Sequence, residues 1–520
     1  MTPEQELKEL ISDWREQVDR LPIWSAGEDR LHALMSSALE IRASAARNGV
    51  AFPQFSWDAL LDFLLSWHFK HPIGQGPCRE DDVSTAVHAA MTAMRLEPLS
   101  AALRAGAYRV RKTGGVKFRV SYKWDMGLEV ADMYLERQAT PTSLEEPTTG
   151  ELEWASKQSR DRLNQFFPPE DVIAATMERT SRAVQAWRDV HQDPPLADDT
   201  DLGEGLTVGV MAKVLAALMA MAELGEMAHS TARARGTTLQ HTTEEAIVEW
   251  LSRLCDDLPR ELAIQAVRRL MAGPGKSLRT SLLIPHRGII TVLPLVMFPR
   301  AIDAIVLRTA ASDPARYGPI GKRQGERAKV WGRWLASIPG VKVTEGAKVR
   351  SSGGRTAGDL DVVAIDPISR KGLVLEIKWP IDALTLSETS KTDQTIMLAS
   401  SQLGKVRNSL RAGDVRVKLP PDWPEFDEID WVWGVGTPQQ LTPQPLPEPD
   451  MFATSFRYVS RLRSVDSLSN LIEVLRNPIV PALGKHYRIG NVTIPLQQRY
   501  SVRIEVLECK EGDWSPVMYP

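Results

Sequence analysis

The stretch AGDLDVVAIDPISRKGLVLEIKW, residues 357–379, constrains this chain more than any other. Two apolar runs flank a turn-forming segment, so it reads as a β-hairpin. Its strands are apolar enough for the middle of a sheet, where charged side chains are rare. Yet they carry Asp361, Glu376 and Lys378. Residues two apart on a strand share a face. Glu376, Lys378 and Val374 therefore point one way, and Leu375 and Ile377 the other. In the preceding strand Asp359 and Asp361 share one face, while Leu360 and Val362 share the apolar one. Antiparallel pairing brings Asp361 beside Glu376 and Lys378, so two carboxylates and an ammonium meet at one rim of a small sheet. Burying such a cluster is costly unless the charges compensate each other or hold a metal ion. The alternative is a surface hairpin whose Asp, Glu and Lys form a cross-strand salt bridge, worth about a few tenths of a kcal/mol.

The neighbouring sequence places this hairpin in a larger unit. From residue 322 the periodicity predicts helix, strand, strand, strand, helix and strand, in KRQGERAKVWGRWLASI, VKVTEGAKV, GDLDVVAID, GLVLEIKW, SETSKTDQTIMLASSQLGKVRNSL and IDWVWGVG. Residues 316–418 hold 19 Lys+Arg against 10 Asp+Glu, although the whole chain has a net charge of −3. A local positive field of this kind suits a polyanion-binding surface.

GDLDVVAID followed by LVLEIKW resembles the core of the PD-(D/E)xK nuclease superfamily, the restriction-endonuclease-like fold. It is most similar to the Mrr-like and nuclease-related branches, which read G-(D/E)-x-D and then E-x-K. The resemblance covers about 120 of the 520 residues and extends to the αβββαβ order of that family. It implies a metal-dependent nuclease using Mg²⁺, with Mn²⁺ as a substitute. Asp361 and Glu376 stand at the metal-binding positions and Lys378 at the catalytic lysine. Glu326, on the helix before the first strand, sits where several branches place a further acidic metal ligand. Gln402, on the later helix, sits where some place an auxiliary polar residue. Leu360 occupies the position of the proline in the family's name, and Asp359 is an extra acid able to compete for the metal. Lys348, Arg350 and Arg355 are the expected phosphate contacts. DNA is the expected substrate ahead of RNA, in restriction, phage defence or repair.

At 520 residues the chain is too long for one ordinary core. The expected fold class is multidomain: a mainly α-helical N-terminal region, an α/β restriction-endonuclease-like domain, and a small α+β C-terminal region. The expected boundaries are 1–190, mainly helical with a β-hairpin near 107–124; 205–311, helical and ending in strands; 316–436, the nuclease-like domain; and 451–520. The acidic Pro/Gly segment 191–205 separates the first two. In the last region FATSFRYVS, KHYRIGNVTI and YSVRIEVLEC read as strands and SLSNLIEVLR as a helix.

Three widely separated cysteines argue against a disulfide framework and for a reducing compartment. The N-terminal segment has no apolar signal region. The most apolar run, 206–224, contains Lys213 and Glu223 and reads as a buried helix rather than a membrane span. A cytoplasmic protein without a membrane partner is expected. AGPGKS, 272–277, lacks the first glycine of a P-loop, because Leu270 stands there. His68, His71 and Cys78 have no fourth ligand at metal spacing. His286 reads as a turn or core histidine. Trp331 and Trp334 are expected to anchor the helix carrying Glu326 on the sheet, and Trp379 to pack or to stack on a base.

Two other functions compete with the nuclease. One is a catalytically silent nuclease-like module that binds nucleic acid while the helical region recruits a partner protein or a second copy. The other is a helical scaffold whose β domain only seals a core.

Overall fold

The computed structural model describes the chain apart from residues 49–55, 140–144, 159–167, 192–194, 230–238, 256, 295–301, 312–313, 352, 381–385, 439–444, 463–464, 497–498, 511, 513, 515 and 517–520. Four helices open it: α1 (Pro3–Asp19), α2 (Arg30–Arg47), α3 (Trp57–Lys70) and α4 (Glu80–Arg104). The hairpin β1 (Tyr108–Thr113) and β2 (Lys117–Tyr122) comes next, followed by α5 (Gly127–Ala139), α6 (Thr149–Ser156) and α7 (Glu170–His191). Then come β3 (Asp201–Gly203), β4 (Leu206–Thr207), α8 (Val208–His229), β5 (Gln240–Thr242), α9 (Glu244–Leu254), α10 (Arg260–Arg269), β6 (Leu283–His286), β7 (Ile289–Val292), α11 (Ile302–Ala311) and α12 (Pro314–Arg327). The remainder runs α13 (Val330–Ala336), β8 (Lys342–Ser351), β9 (Thr356–Asp366), β10 (Lys371–Ile377), α14 (Leu386–Arg411), β11 (Val415–Val417), β12 (Asp430–Thr437), β13 (Phe452–Ser455), α15 (Phe456–Val459), α16 (Leu468–Arg476), β14 (Tyr487–Leu496) and β15 (Tyr500–Cys509). The chain is mixed α/β.

These elements form two compact units. One comprises Met1–Ser100 and Thr140–Gly321, the other Ala101–Ala139 and Lys322–Pro520. This grouping differs from the expected one in three places. First, segment 191–205 is not a boundary. Arg188 of α7 donates to Asp303 of α11 at 2.9 Å and to the carbonyl of Leu196 at 2.6 Å, which ties both sides of the segment together. Second, the hairpin near 107–124 belongs with the C-terminal strands, because β2 pairs in parallel with β15. Third, 451–520 is not a separate region. Strand β13 adds to β12 in parallel, with Phe452 opposite Gly434. A Cβ on Gly434 would lie 2.4 Å from the Phe452 ring, so only glycine lets the two strands approach there. FATSFRYVS is strand only as far as Ser455. The Ser455 side chain accepts from the Tyr458 amide and starts α15.

In the first unit α8 is the only described helix long and apolar enough to cross a membrane, and 78% of that window is buried inside the fold. A fully buried ion triad holds α8 to its neighbours. Arg179 of α7 donates to Glu151 of α6 at 2.7 Å and to Glu223 of α8 at 3.2 Å. His286 ends β6 at a turn, where Arg287 and Gly288 both have positive φ. All three cysteines are free.

In the second unit the six-stranded sheet has the order β11-β8-β9-β10-β12-β13. Strands β8, β9 and β10 form an antiparallel meander, and β12 lies parallel to β10. One face carries Val362, Ala364, Leu373, Leu375 and Ile377, buried with Trp331 and the stripe of α16. The other carries Val363, Val374 and Trp433, buried with Leu403 of α14. Leu360 lies in this second cluster, not with Val362 as strict alternation predicts. The neighbouring pairs Glu345↔Val362 and Ala347↔Leu360 put Gly346 opposite Asp361. Gly346 has φ +63°, a backbone state open to glycine, and there the two strands exchange faces. Asp361 therefore sits where the sheet changes the side it buries.

Candidate active site

Strand register brings the hairpin charges together. The β9–β10 ladder ends at Leu375↔Val362, so the next step sets Asp361 beside Glu376. The Asp361 carboxylate replaces the missing backbone partner: its Oδ2 accepts from the Ile377 amide at 2.7 Å. On the other edge of β10 the Lys378 amide donates to the Gly436 carbonyl at 2.9 Å. Lys378 Nζ donates to Glu376 Oε1 at 2.6 Å. This pair is partly buried, with the side chains 30% and 17% exposed. One oxygen of each carboxylate, Asp361 Oδ1 and Glu376 Oε2, remains outside the described hydrogen bonds.

Electrostatics reflect the burial. The Asp361 carboxyl is pushed above its ordinary range by desolvation, opposed by the Ile377 amide and the Lys378 charge. Glu376 is raised by desolvation and then by Asp361, against its bond to Lys378. Two carboxylates are thus held close, and one ammonium offsets them only in part.

The other expected site residues make no hydrogen bond to this group, although the Asp359 charge also acts on Asp361 and Glu376. Asp359 is exposed, and its Oδ2 accepts from Lys348 Nζ at 3.1 Å. Lys348 lies directly across the ladder from it. Glu326 lies in the last turn of α12 and pairs with Arg323 one turn back, at 3.2 Å. Among the described residues, no three His, Cys, Asp or Glu side chains form a group able to hold a metal. Gln402 is exposed on α14, while its neighbour Leu403 is buried. Trp331 and Trp334 lie on α13, not on the helix of Glu326. The chain turns at Gly325–Ala328, where the Ala328 amide donates to the Gly325 carbonyl. Trp331 is buried edge-on against Phe456. Trp379 packs on the same core, 6.3 Å from Phe456 and under the Arg327 guanidinium, so its ring is used in packing.

The expected phosphate contacts Arg350 and Arg355 are exposed. Arg350 stands directly opposite the exposed Arg416 of β11. Arg416 was missed in sequence, although the alternation of VRVK at 415–418 signals it. A second missed feature is Asp393 of α14. It is 9% exposed, its Oδ1 has no hydrogen-bond partner among the described residues, and burial raises its carboxyl to about 7. Glu129 of α5 rises to about 8 through desolvation and then the nearby Asp393 and Glu136. The visible signal was an acid on the apolar stripe Asp393, Ile396, Ser400, Leu403.

Set against known proteins, the chain matches no family model, no curated protein and no solved structure.

Proposed function

We propose that this protein is a metal-dependent nuclease that hydrolyses DNA phosphodiester bonds, with Asp361, Glu376 and Lys378 as its working residues. The observation that carries this reading is the desolvated pair Asp361–Glu376, joined to Lys378 at the end of an otherwise apolar central strand. A fold gains little by burying two like charges side by side, so the arrangement is explained by what it holds. The meander β8–β9–β10, with α13 before it and α14 leading to the parallel β12, supports the reading because it is the element order the resemblance implies.

The donor set fits Mg²⁺, a hard cation that takes one or two carboxylates and keeps several waters. Asp361 Oδ1 and Glu376 Oε2 are the oxygens that would hold it. Such an ion, when bound, polarises a phosphoryl oxygen and acidifies a water. The chain's own residues do the rest. The Ile377 amide fixes the orientation of Asp361. Glu376 holds the Lys378 ammonium at the site, where it adds positive charge and a donor for the attacking water. Exposed Arg350, Arg355 and Arg416 contact phosphates and position the strand without reading its sequence.

The test is incubation of the protein with supercoiled plasmid, linear duplex and single-stranded DNA in Mg²⁺, Mn²⁺ or EDTA, with Lys378→Ala in parallel. Metal-dependent cutting that disappears in the variant, with fold and binding kept, supports the assignment. A second reading is favoured by the absence of a third carboxylate ligand among the described residues. On it, the unit grips nucleic acid without cutting, and binding persists in EDTA with no cleavage in any divalent metal.

A further inference from the structure

The four-stranded sheet of the second unit, ordered β1-β2-β15-β14, carries an arginine row that the reading above does not use. Arg111 of β1 stands opposite Arg119 of β2, and Arg119 stands opposite Arg503 of β15. All three are exposed, while Phe118, Val120, Val502 and Ile504 on the reverse face are buried. Paired residues share a face, so three guanidinium groups project side by side from adjacent strands about 4.8 Å apart. Arg109 and Lys117 extend the row along the strands, and both are exposed. The nearby acid is Glu505, 3.8 Å from Arg119 and also an acceptor for the Tyr122 amide. Arg111 and Arg503 have no ion-pair partner among the described residues.

Like charges directly opposite each other destabilise a sheet. Folding therefore does not account for the row, and a polyanion would relieve it. We propose that this face is a second DNA-docking surface, which grips the phosphates of duplex DNA apart from the hairpin of Asp361 and Glu376. The chemistry between the arginines selects the occupant. Thr113, Ser121, Ser501 and Thr493 share the face, and they donate hydrogen bonds to phosphate oxygens. Single-strand platforms stack bases on aromatic rings, and membrane-docking faces present apolar or aromatic side chains beside their basic ones. The rings of β1, β2 and β15, Tyr108, Phe118, Tyr122 and Tyr500, lie on the other face by register, and Tyr487 of β14, on the arginine side, is buried.

The inference is tested by fluorescence anisotropy of a short labelled duplex in EDTA, so it does not depend on cleavage. The variant combines Arg111→Gln, Arg119→Gln and Arg503→Gln. Its affinity should fall at least about tenfold at about 50 mM salt, and the slope of log K against log salt should shrink by about 2 to 3. Arg503→Gln alone should take about a third of that slope, which keeps the test open if the triple variant misfolds. Three exposed charges of the first unit, removed as Arg47→Gln, Arg95→Gln and Lys213→Gln, should leave the slope unchanged. An unaltered slope in the sheet variants overturns the proposal, as does an equal loss in the first-unit control. Tighter binding of single strands than of duplex through the same arginines also overturns it, as does binding to anionic phosphatidylserine vesicles but not to duplex.

Discussion

Asp361 Oδ2 accepts a hydrogen bond from the Ile377 backbone amide at 2.7 Å. One strand's side chain thereby continues the ladder where its backbone has left the neighbouring strand. The same carboxylate is thus both a structural acceptor and a proposed metal ligand, and substitution separates the two roles.

Asp361→Asn keeps an acceptor for the Ile377 amide but lowers the charge. Cleavage should drop by about two orders of magnitude or more, while the melting temperature stays within about 2 °C of wild type. Asp361→Ala should lose activity equally and also cost about 1 to 3 kcal/mol, because the amide loses its acceptor. Plasmid cleavage and thermal denaturation on both variants check this.

Asp393 and Glu129 predict an alkaline loss of stability. Their folded carboxyls sit at about 7 and about 8, above the unfolded values. The protonated forms are favoured in the fold, so stability is full below about pH 4 and falls as pH rises towards 8. Asp393→Asn should raise the melting temperature at pH 8 and leave it nearly unchanged at pH 5. The gain should be on the order of a few kcal/mol. Unfolding followed across that range measures it.

Arg30 and His68 predict the opposite limb. Arg30 is fully buried and donates from Nε to His68 Nδ1 at 3.1 Å, and to the carbonyls of Pro72 and His68 at 2.9 Å each. A permanent donor on Nδ1 requires a neutral ring, and burial and the Arg30 charge bring His68 down to about 4. The unfolded ring takes its proton first, so stability present above about pH 6.5 is lost as pH falls to 4. His68→Gln should flatten this acid limb, and Arg30→Met should destabilise at every pH by leaving buried carbonyls unpaired. Urea titrations at pH 7 and pH 5 distinguish the two.

The triad of Arg179, Glu151 and Glu223 stabilises the first unit only when complete. Glu151→Ala should cost about 3 to 5 kcal/mol, because the buried guanidinium loses its 2.7 Å partner. Glu151→Gln should cost less, since an acceptor remains for Arg179 and for the Thr176 hydroxyl. Chemical denaturation of the two variants tests the ordering.

Much of the second unit was legible in local sequence, because alternation and helical periodicity are short-range patterns. The three strands β8, β9 and β10, the helix α14 and the strand β12 could be read in this way, as could the shared side of Glu376 and Lys378, whereas the short edge strand β11 was not. The different surroundings of Asp359 and Asp361 could not: Lys348 stands across from the first, and the ladder ends beside the second. The helix break between Glu326 and Trp331 was equally hidden, since both segments carry a helical pattern.

By itself, then, the sequence determined which residues could pair, bury or carry charge within a strand or a helix. Only the tertiary structure decided which of them meet. Residues 117–120 lie beside 501–504, so the arginine row is assembled from segments almost 400 residues apart. Such contacts follow from the burial of whole faces, and face burial is a property of the packed sheet that no short window of sequence contains.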